Sequence, residues 1–205
     1  MKIITISREF GSGGRELGKR LADVLGFAYY DREIITAVAQ KISLDEDYVE
    51  KTLENGIPRS FSFSFGRTFS FPDVAQQNYT KLLIAQQQFI SDIAKKGENF
   101  VIVGRGADVI LEDYEPLNIF IYAQMESKIK RCRERAPEEE SLTDRELSRK
   151  IKQVDSGRAV HRQLLTKDGW GEKESYHLCI NTTDTSIKSL IPSVAAFANS
   201  WFDKK

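Results

Sequence analysis

The residues Gly11-Ser12-Gly13-Gly14-Arg15 carry the first chemical signal in this chain. Small residues in a row let the backbone curl, so successive N–H groups can turn toward one centre and hold an anion. Arg15 adds a permanent positive charge with a forked donor set. Together they describe a cradle for phosphate. Further arginines are scattered downstream: Arg105 in "VGRGAD", then Arg131, Arg135, Arg158 and Arg162. Guanidinium groups suit anionic oxygens such as those of phosphate. No nucleophile–base pair and no pair of carboxylates forms a convincing set, so hydrolase chemistry is not expected. The two histidines, His161 and His177, lie too far apart in sequence for a histidine-rich metal site.

The glycine loop can be read in three registers. A dinucleotide fingerprint, G-x-G-x-x-G, fits Gly11 and Gly13 but meets Glu16 at the third glycine. The pattern G-x-x-x-x-G-K fits Gly13 to Lys19, with Arg20 replacing Ser/Thr. Leu17, Leu21 and Leu25 recur every four residues, however, so the helix is already running there. Lys19 then falls on the opposite, solvated face. The third register places the loop directly after the strand, with Gly14 as its last glycine and Arg15 in the lysine position. A guanidinium is bulkier than an ammonium and cannot simply replace it between two phosphates. A glycine-rich turn without a ligand is the alternative.

These residues need a scaffold, and the chain supplies a regular one. Short apolar strands are predicted over 2–7, 27–30, 99–103, 117–123 and 176–181. Amphipathic helices run between them, over 15–25, from Asp31 to Ile42, about 73–96, 125–135, from Thr143 to about 165, and about 185–201. Asp31 is the predicted N-cap of the second helix. Ser43 with Glu46 and Thr143 with Glu146 are predicted capping boxes. Strand–helix–strand order argues a parallel sheet covered on both faces. Arg105 and the pair Asp31-Arg32 follow strands, at the carboxyl ends where open α/β sheets bind ligands. Arg105 pairing with a carboxylate, and Asp108 capping a helix, are the plainer readings of those two residues. Asp155, Arg158 and Arg162 can share one helical face, a spacing that also makes an ordinary surface ion-pair ladder. Trp170 either packs against a nucleotide ring or pins its loop.

Composition excludes several classes. Lysines plus arginines number 30, as do aspartates plus glutamates, so neither a nucleic-acid-coating nor a membrane-surface protein is expected. No apolar run approaches the roughly 20 residues of a membrane span, and the opening strand is not expected to act as an export signal. Cys132 and Cys179 lack metal-ligand spacing and read as reduced thiols of a cytoplasmic protein. Phe61, Phe63, Phe65, Phe69 and Phe71 form a segment of their own. It reads as a lid on its own core, an interface for a homodimer, or a wall for a planar ring.

The stretch "TISREFGSGGRELGKRLADVLGFAYYDREII" closely resembles the start of the cytidylate kinase-like family, a branch of the P-loop nucleoside monophosphate kinases. An arginine-containing loop is characteristic of that branch. The resemblance extends to "VIVGRGADVIL", "QVDSGRAVHR" and "WGEKESYHLCINTT", and so covers most of the chain outside the phenylalanine segment. It implies an α/β P-loop NTPase fold: a five-stranded parallel sheet with helices on both faces, a helical acceptor-binding insert and a lid. The core would be 1–30, 97–130 and 174–205, the insert about 31–96 and the lid about 131–173. The implied reaction is phosphoryl transfer from ATP to a nucleoside monophosphate, with CMP or dCMP favoured. Another small-molecule acceptor and a nucleotide-binding module without turnover stay open.

By the same resemblance Gly11, Ser12, Gly13, Gly14, Arg15 and Glu16 would hold the ATP phosphates. Asp31, Arg32, Arg105 and Asp108 would hold the acceptor. Arg15, Arg131, Arg158 and Arg162 would be catalytic. His161 stands where an aromatic or cationic residue is expected. Glu16, not Ser/Thr, follows Arg15, and no aspartate closes the third strand before Gly104. No directly ligated metal is therefore expected, and Mg²⁺ would be held by water and nucleotide phosphates.

Overall fold

The computed structural model describes residues 1–55, 72–135 and 142–204. Five strands form one parallel sheet in the order β2-β3-β1-β4-β5. They are β1 (Ile3–Arg8), β2 (Ala28–Tyr30), β3 (Phe100–Val103), β4 (Leu117–Tyr122) and β5 (Leu178–Asn181). The strand β1 is central and buried along its whole length, pairing Ile4 with Val101 on one side and Leu117 on the other.

Alternation along the strands sends side chains to two cores. Ile4, Ile6, Val101, Val103, Ile119 and Ile121 pack under α1 (Gly14–Leu25) and α8 (Ile187–Phe202). Ile3, Phe100 and Ile102 pack under α2 (Glu33–Ile42) and α4 (Pro72–Lys95). The helix α3 (Glu46–Asn55) rests on α2 and α4. The remaining helices are α5 (Ala107–Ile110), α6 (Met125–Arg135) and α7 (Asp144–Gln163), and α7 also contacts α3.

The topology fixes where a ligand belongs. From β1 the chain crosses past β3 to build β2. From β3 it crosses back over β1 to build β4. Connections thus leave the neighbouring strands β1 and β3 in opposite directions, which opens a crevice outside their carboxyl ends.

Several boundaries differ from the sequence expectation. β1 runs on through Arg8, and α1 opens one residue early, at Gly14. Asp31 does not cap α2; Arg32 precedes that helix without a side-chain cap, and the Asp31 carboxylate is drawn to arginines instead. Ser43 closes α2 in a left-handed conformation (φ 55°), so it cannot also open α3. Asp45 Oδ1 takes the capping role, accepting from the Tyr48 N–H at 3.1 Å. The Thr143–Glu146 box at the start of α7 forms in both halves. The Phe61–Phe71 segment, with its interface reading, lies outside the described residues. No helix among the described residues is long and apolar enough to cross a membrane.

Candidate active site

Residues 9–13 leave β1 and enter α1 at the crevice. Gly13 is the N-cap, left-handed at φ 87°, and contributes no side-chain hydrogen bond. The amides of Gly14, Arg15 and Glu16 therefore open the helix without a partner one turn back, at the positive end of its dipole. That is a ready anion site. Ser12 braces the loop: its buried Oγ donates to Glu9 O at 2.8 Å, and Thr182 Oγ1 donates to Ser12 O at 2.7 Å.

The β3–α5 connection forms the opposite wall. Gly104, Arg105 and Gly106 are consecutively left-handed, at φ 74°, 64° and 64°. For an arginine this conformation is uncommon and costs free energy. The turn is held by α4, where Gln86 Nε2 donates to Arg105 O at 3.0 Å and lies 3.5 Å from His161 Nε2. Arg105 itself is buried.

The long helix α7 closes the third side. Arg158 Nη1 donates to Arg8 O at 2.9 Å and its guanidinium lies 5.8 Å from the Phe10 ring centroid. Asp155 accepts from the Phe10 N–H at 2.7 Å and lies 3.5 Å from both Lys128 Nζ and Arg158 Nη1. Lys128 also pairs with Glu9 at 2.9 Å. Burial raises the Asp155 pKa against the pull of the Phe10 amide, Arg158 and Lys128. Arg162 and Asp108 form a buried ion pair. Burial opposes the Arg162 charge, but Asp108 outweighs it and lifts that pKa above its ordinary value. Arg8, Arg105, Asp108, Arg158, His161 and Arg162 thus line one cleft, with Trp170 at its rim.

His161 is held neutral. Burial, with the Arg105 charge behind it, lowers its pKa from the ordinary 6.5 to about 4. As pH falls the unfolded chain takes up this proton first, so the stabilisation is complete above pH 6.5 and is lost toward pH 4. A His161→Gln variant should not share that loss. Urea unfolding from pH 7 to 4.5 is expected to show the wild type losing on the order of 2 kcal/mol more than the variant. Parallel stability curves would mean that His161 titrates as an ordinary surface histidine.

The profile of the cytidylate kinase-like family matches residues 3–184. The chain belongs to the cytidylate kinase-like family. Its fold is the P-loop NTPase α/β fold, and family and fold together make it a P-loop kinase, a phosphotransferase with a nucleotide-binding loop. It is similar to an uncharacterized protein from Eubacterium ventriosum, at 26% identity and a TM-score of 0.69, covering 98% of this chain and 99% of that one. In fold alone it is similar to shikimate kinase from Bacteroides thetaiotaomicron, at 16% identity and a TM-score of 0.57, covering 97% and 98%. Shikimate kinase from Acinetobacter baumannii in complex with shikimate matches at 14% identity and a TM-score of 0.54, covering 98% and 94%. No curated protein matches the sequence.

The stretch matched to the cytidylate kinase-like family includes every residue lining the cleft. Of the residues singled out from sequence, the structure brings Arg105, Asp108, Arg158 and Arg162 together there. Arg15 stands at the edge, its Nε 2.8 Å from Asp31 and its Nη2 3.8 Å from Glu50. Glu16 is engaged by Arg20 and Arg135. Arg131 holds the β5–α8 connection, donating to the carbonyls of Thr182 and Thr185, beside the glycine loop and outside the cleft. Arg32 is 67% exposed and pairs with Glu50 at 3.1 Å. Trp170 sits edge-on to Phe120 at 5.3 Å, which pins its loop.

Arg8, Gln86 and Lys128 were not expected. Gln86 had a signal, since it is polar on the apolar stripe of Leu82, Ile90 and Ile93. Lys128 had none, being one charge among many on α6. A Mg²⁺ site built from protein side chains alone does not gather among the described residues, although Asp31 Oδ1 is buried without a hydrogen-bond partner. Asp31 is engaged by Arg15, Asp108 by Arg162, Glu9 by Lys128, and Asp155 by the Phe10 amide. No group of three metal-ligating side chains gathers among the described residues.

Proposed function

We propose that this chain transfers the γ-phosphoryl group of ATP to a nucleoside monophosphate, with CMP or dCMP as the favoured acceptor. One observation carries the reading. The start of α1 has no side-chain cap, and Arg8, from the strand that leads into it, lines one cleft with the buried Arg105 and with Arg158. An open helix start beside a cleft lined by several guanidiniums suits a transfer between two phosphates. The choice of acceptor rests on family membership alone.

In this reading the Gly11–Gly14 backbone and the Arg15 and Glu16 amides take the donor phosphates. Arg105 takes the acceptor phosphate, and Asp31 and Asp108 bound the acceptor side. An acceptor phosphate oxygen attacks the γ-phosphorus in line. The bond to the β–γ bridging oxygen breaks, that oxygen keeps the electron pair, and ADP leaves as the nucleoside diphosphate forms. Arg158 and Arg162 face the charge that spreads over the transferring oxygens. Arg131 would close over the donor from the β5–α8 side. Mg²⁺ would enter with ATP, held by water and phosphates.

A coupled ADP-release assay with ATP, Mg²⁺ and CMP, dCMP, UMP, AMP or GMP tests the reading. Turnover with CMP or dCMP above the other acceptors is the expected result. Nucleotide-independent ADP release, or none with any acceptor, would reject it.

A further inference from the structure

A P-loop runs G-x-x-x-x-G-K between a strand and the helix that its lysine opens. Here β1 ends at Arg8 and α1 opens at Gly14. Between those ends the positions read Arg8-Glu9-Phe10-Gly11-Ser12-Gly13-Gly14. Gly13 keeps its place, and the two ends are exchanged. A cation stands at the first glycine, and a glycine stands at the lysine.

The exchange is reciprocal in space. A Cβ built on Gly14 would lie 2.5 Å from Arg8 Cβ and 2.9 Å from Arg8 Cγ. The stem of Arg8 therefore occupies the room through which a side chain at position 14 would leave the helix. From there Arg8 reaches across to β3, where its Nη1 would lie 1.6 Å from a Cβ on Gly104. Glycine at 104 is what lets the guanidinium lie against the strand end.

The charge of Arg8 is poorly matched by the protein. Arg8 is 6% exposed. Among the described residues its one carboxylate neighbour in ion-pair range is Asp31, at 3.9 Å, beyond hydrogen-bond reach. Asp31 is already committed to Arg15 at 2.8 Å. Burial and the nearby charge of Arg158 push the Arg8 pKa well below its ordinary value, Asp31 opposes them, and Arg105 and Arg15 add to the depression. An arginine stays protonated in proteins, so the depression marks a charge cut off from water and crowded by other cations. A buried, under-neutralised cation beside an uncapped helix start is suited to an anion with several charges.

We infer that Arg8, and not Arg15, is the cation that replaces the missing loop lysine and grips the phosphoryl group as it passes from donor to acceptor. The chemistry rests on the phosphoryl-transfer reading, while the position rests on geometry alone. Arg15, 43% exposed at its side chain, belongs to the Asp31–Glu50 edge.

The test is a swap followed by kcat, ATP affinity and circular dichroism. Arg8→Gly should lower kcat by about 10²–10³-fold and weaken ATP binding by about tenfold. The double variant Arg8→Gly with Gly14→Lys restores the usual order and should recover at least tenfold of the lost kcat. Arg15→Ala should lose less than Arg8→Gly, and Lys19→Ala nothing. An Arg8→Gly enzyme within about threefold of wild type in both quantities, or a folded double variant no better than the single, would overturn the inference. If the double variant does not fold, Arg8→Lys against Arg8→Gln decides. The lysine should keep at least tenfold more activity, and equality would overturn the assignment. If no acceptor is phosphorylated, the transfer reading fails, but ATP affinity still reports on Arg8. About tenfold weaker ATP binding in Arg8→Gln, with Lys19→Ala unchanged, supports Arg8; equal affinity overturns it.

Discussion

Asp108→Ala is expected to lower the stability of the fold by about 3–5 kcal/mol. Asp108 and Arg162 pair in the cleft with side chains only 4% and 6% exposed. Removing the carboxylate leaves a guanidinium that cannot shed its proton and has little access to water. Arg162 would retain the Asp168 carbonyl at 3.2 Å and the Tyr176 ring at 5.3 Å, neither of which supplies a negative charge. Removing both charges should cost far less, because an apolar pair of similar volume suffers no uncompensated charge. Urea unfolding of Asp108→Ala, and of Asp108→Leu combined with Arg162→Met, separates the two cases. A loss below about 1 kcal/mol in the single variant would show that water reaches Arg162 and that the pair is a surface contact.

Arg158→Ala should lower kcat by about 10²–10³-fold, equivalent to about 2.7–4 kcal/mol of barrier, with a much smaller change in the acceptor KM. In this structure Arg158 braces the loop, through Arg8 O and through Asp155. A purely structural brace would show itself differently. Thermal stability and ATP affinity would fall while kcat at saturation held. The split between kcat and KM therefore tells a cation that meets the transition state from one that only docks α7 on the loop. Unchanged kcat at saturating substrates would remove Arg158 from the chemistry.

The sheet was legible because its strands are short apolar runs separated by periodic helices, and burial on both faces leaves little else for such runs to do. The wall residues Arg105 and Asp108 were legible for a related reason: each follows a strand, and strand ends are where such sheets bind. Arg8 was not legible. As a charged residue after an apolar run it reads as the end of a strand, and only the contact with Gly14 shows that the strand carries it into the crevice. Arg15 shows the converse. Its place after the glycines suggests the lysine role, but the early start of α1 puts it on the second helical position, where Asp31 and Glu50 are within reach. Capping of α2 by Asp31 is a local preference that Arg15 at 2.8 Å, with the buried Arg8 at 3.9 Å, outweighs. Gln86 carries a local mark, a polar side chain on an apolar stripe, but what it meets, like the place of Lys128, depends on how α4 and α6 pack across the chain.

The central claim, phosphoryl transfer to a nucleoside monophosphate, is tested most directly by following the γ-phosphate itself. ATP labelled at the γ-position is incubated with the protein, Mg²⁺ and CMP, and the products are separated by charge. The account predicts label in CDP, at its β-phosphate, in amounts equal to the ADP formed. Label recovered only as inorganic phosphate, or retained in ATP while ATP remains bound, would contradict it.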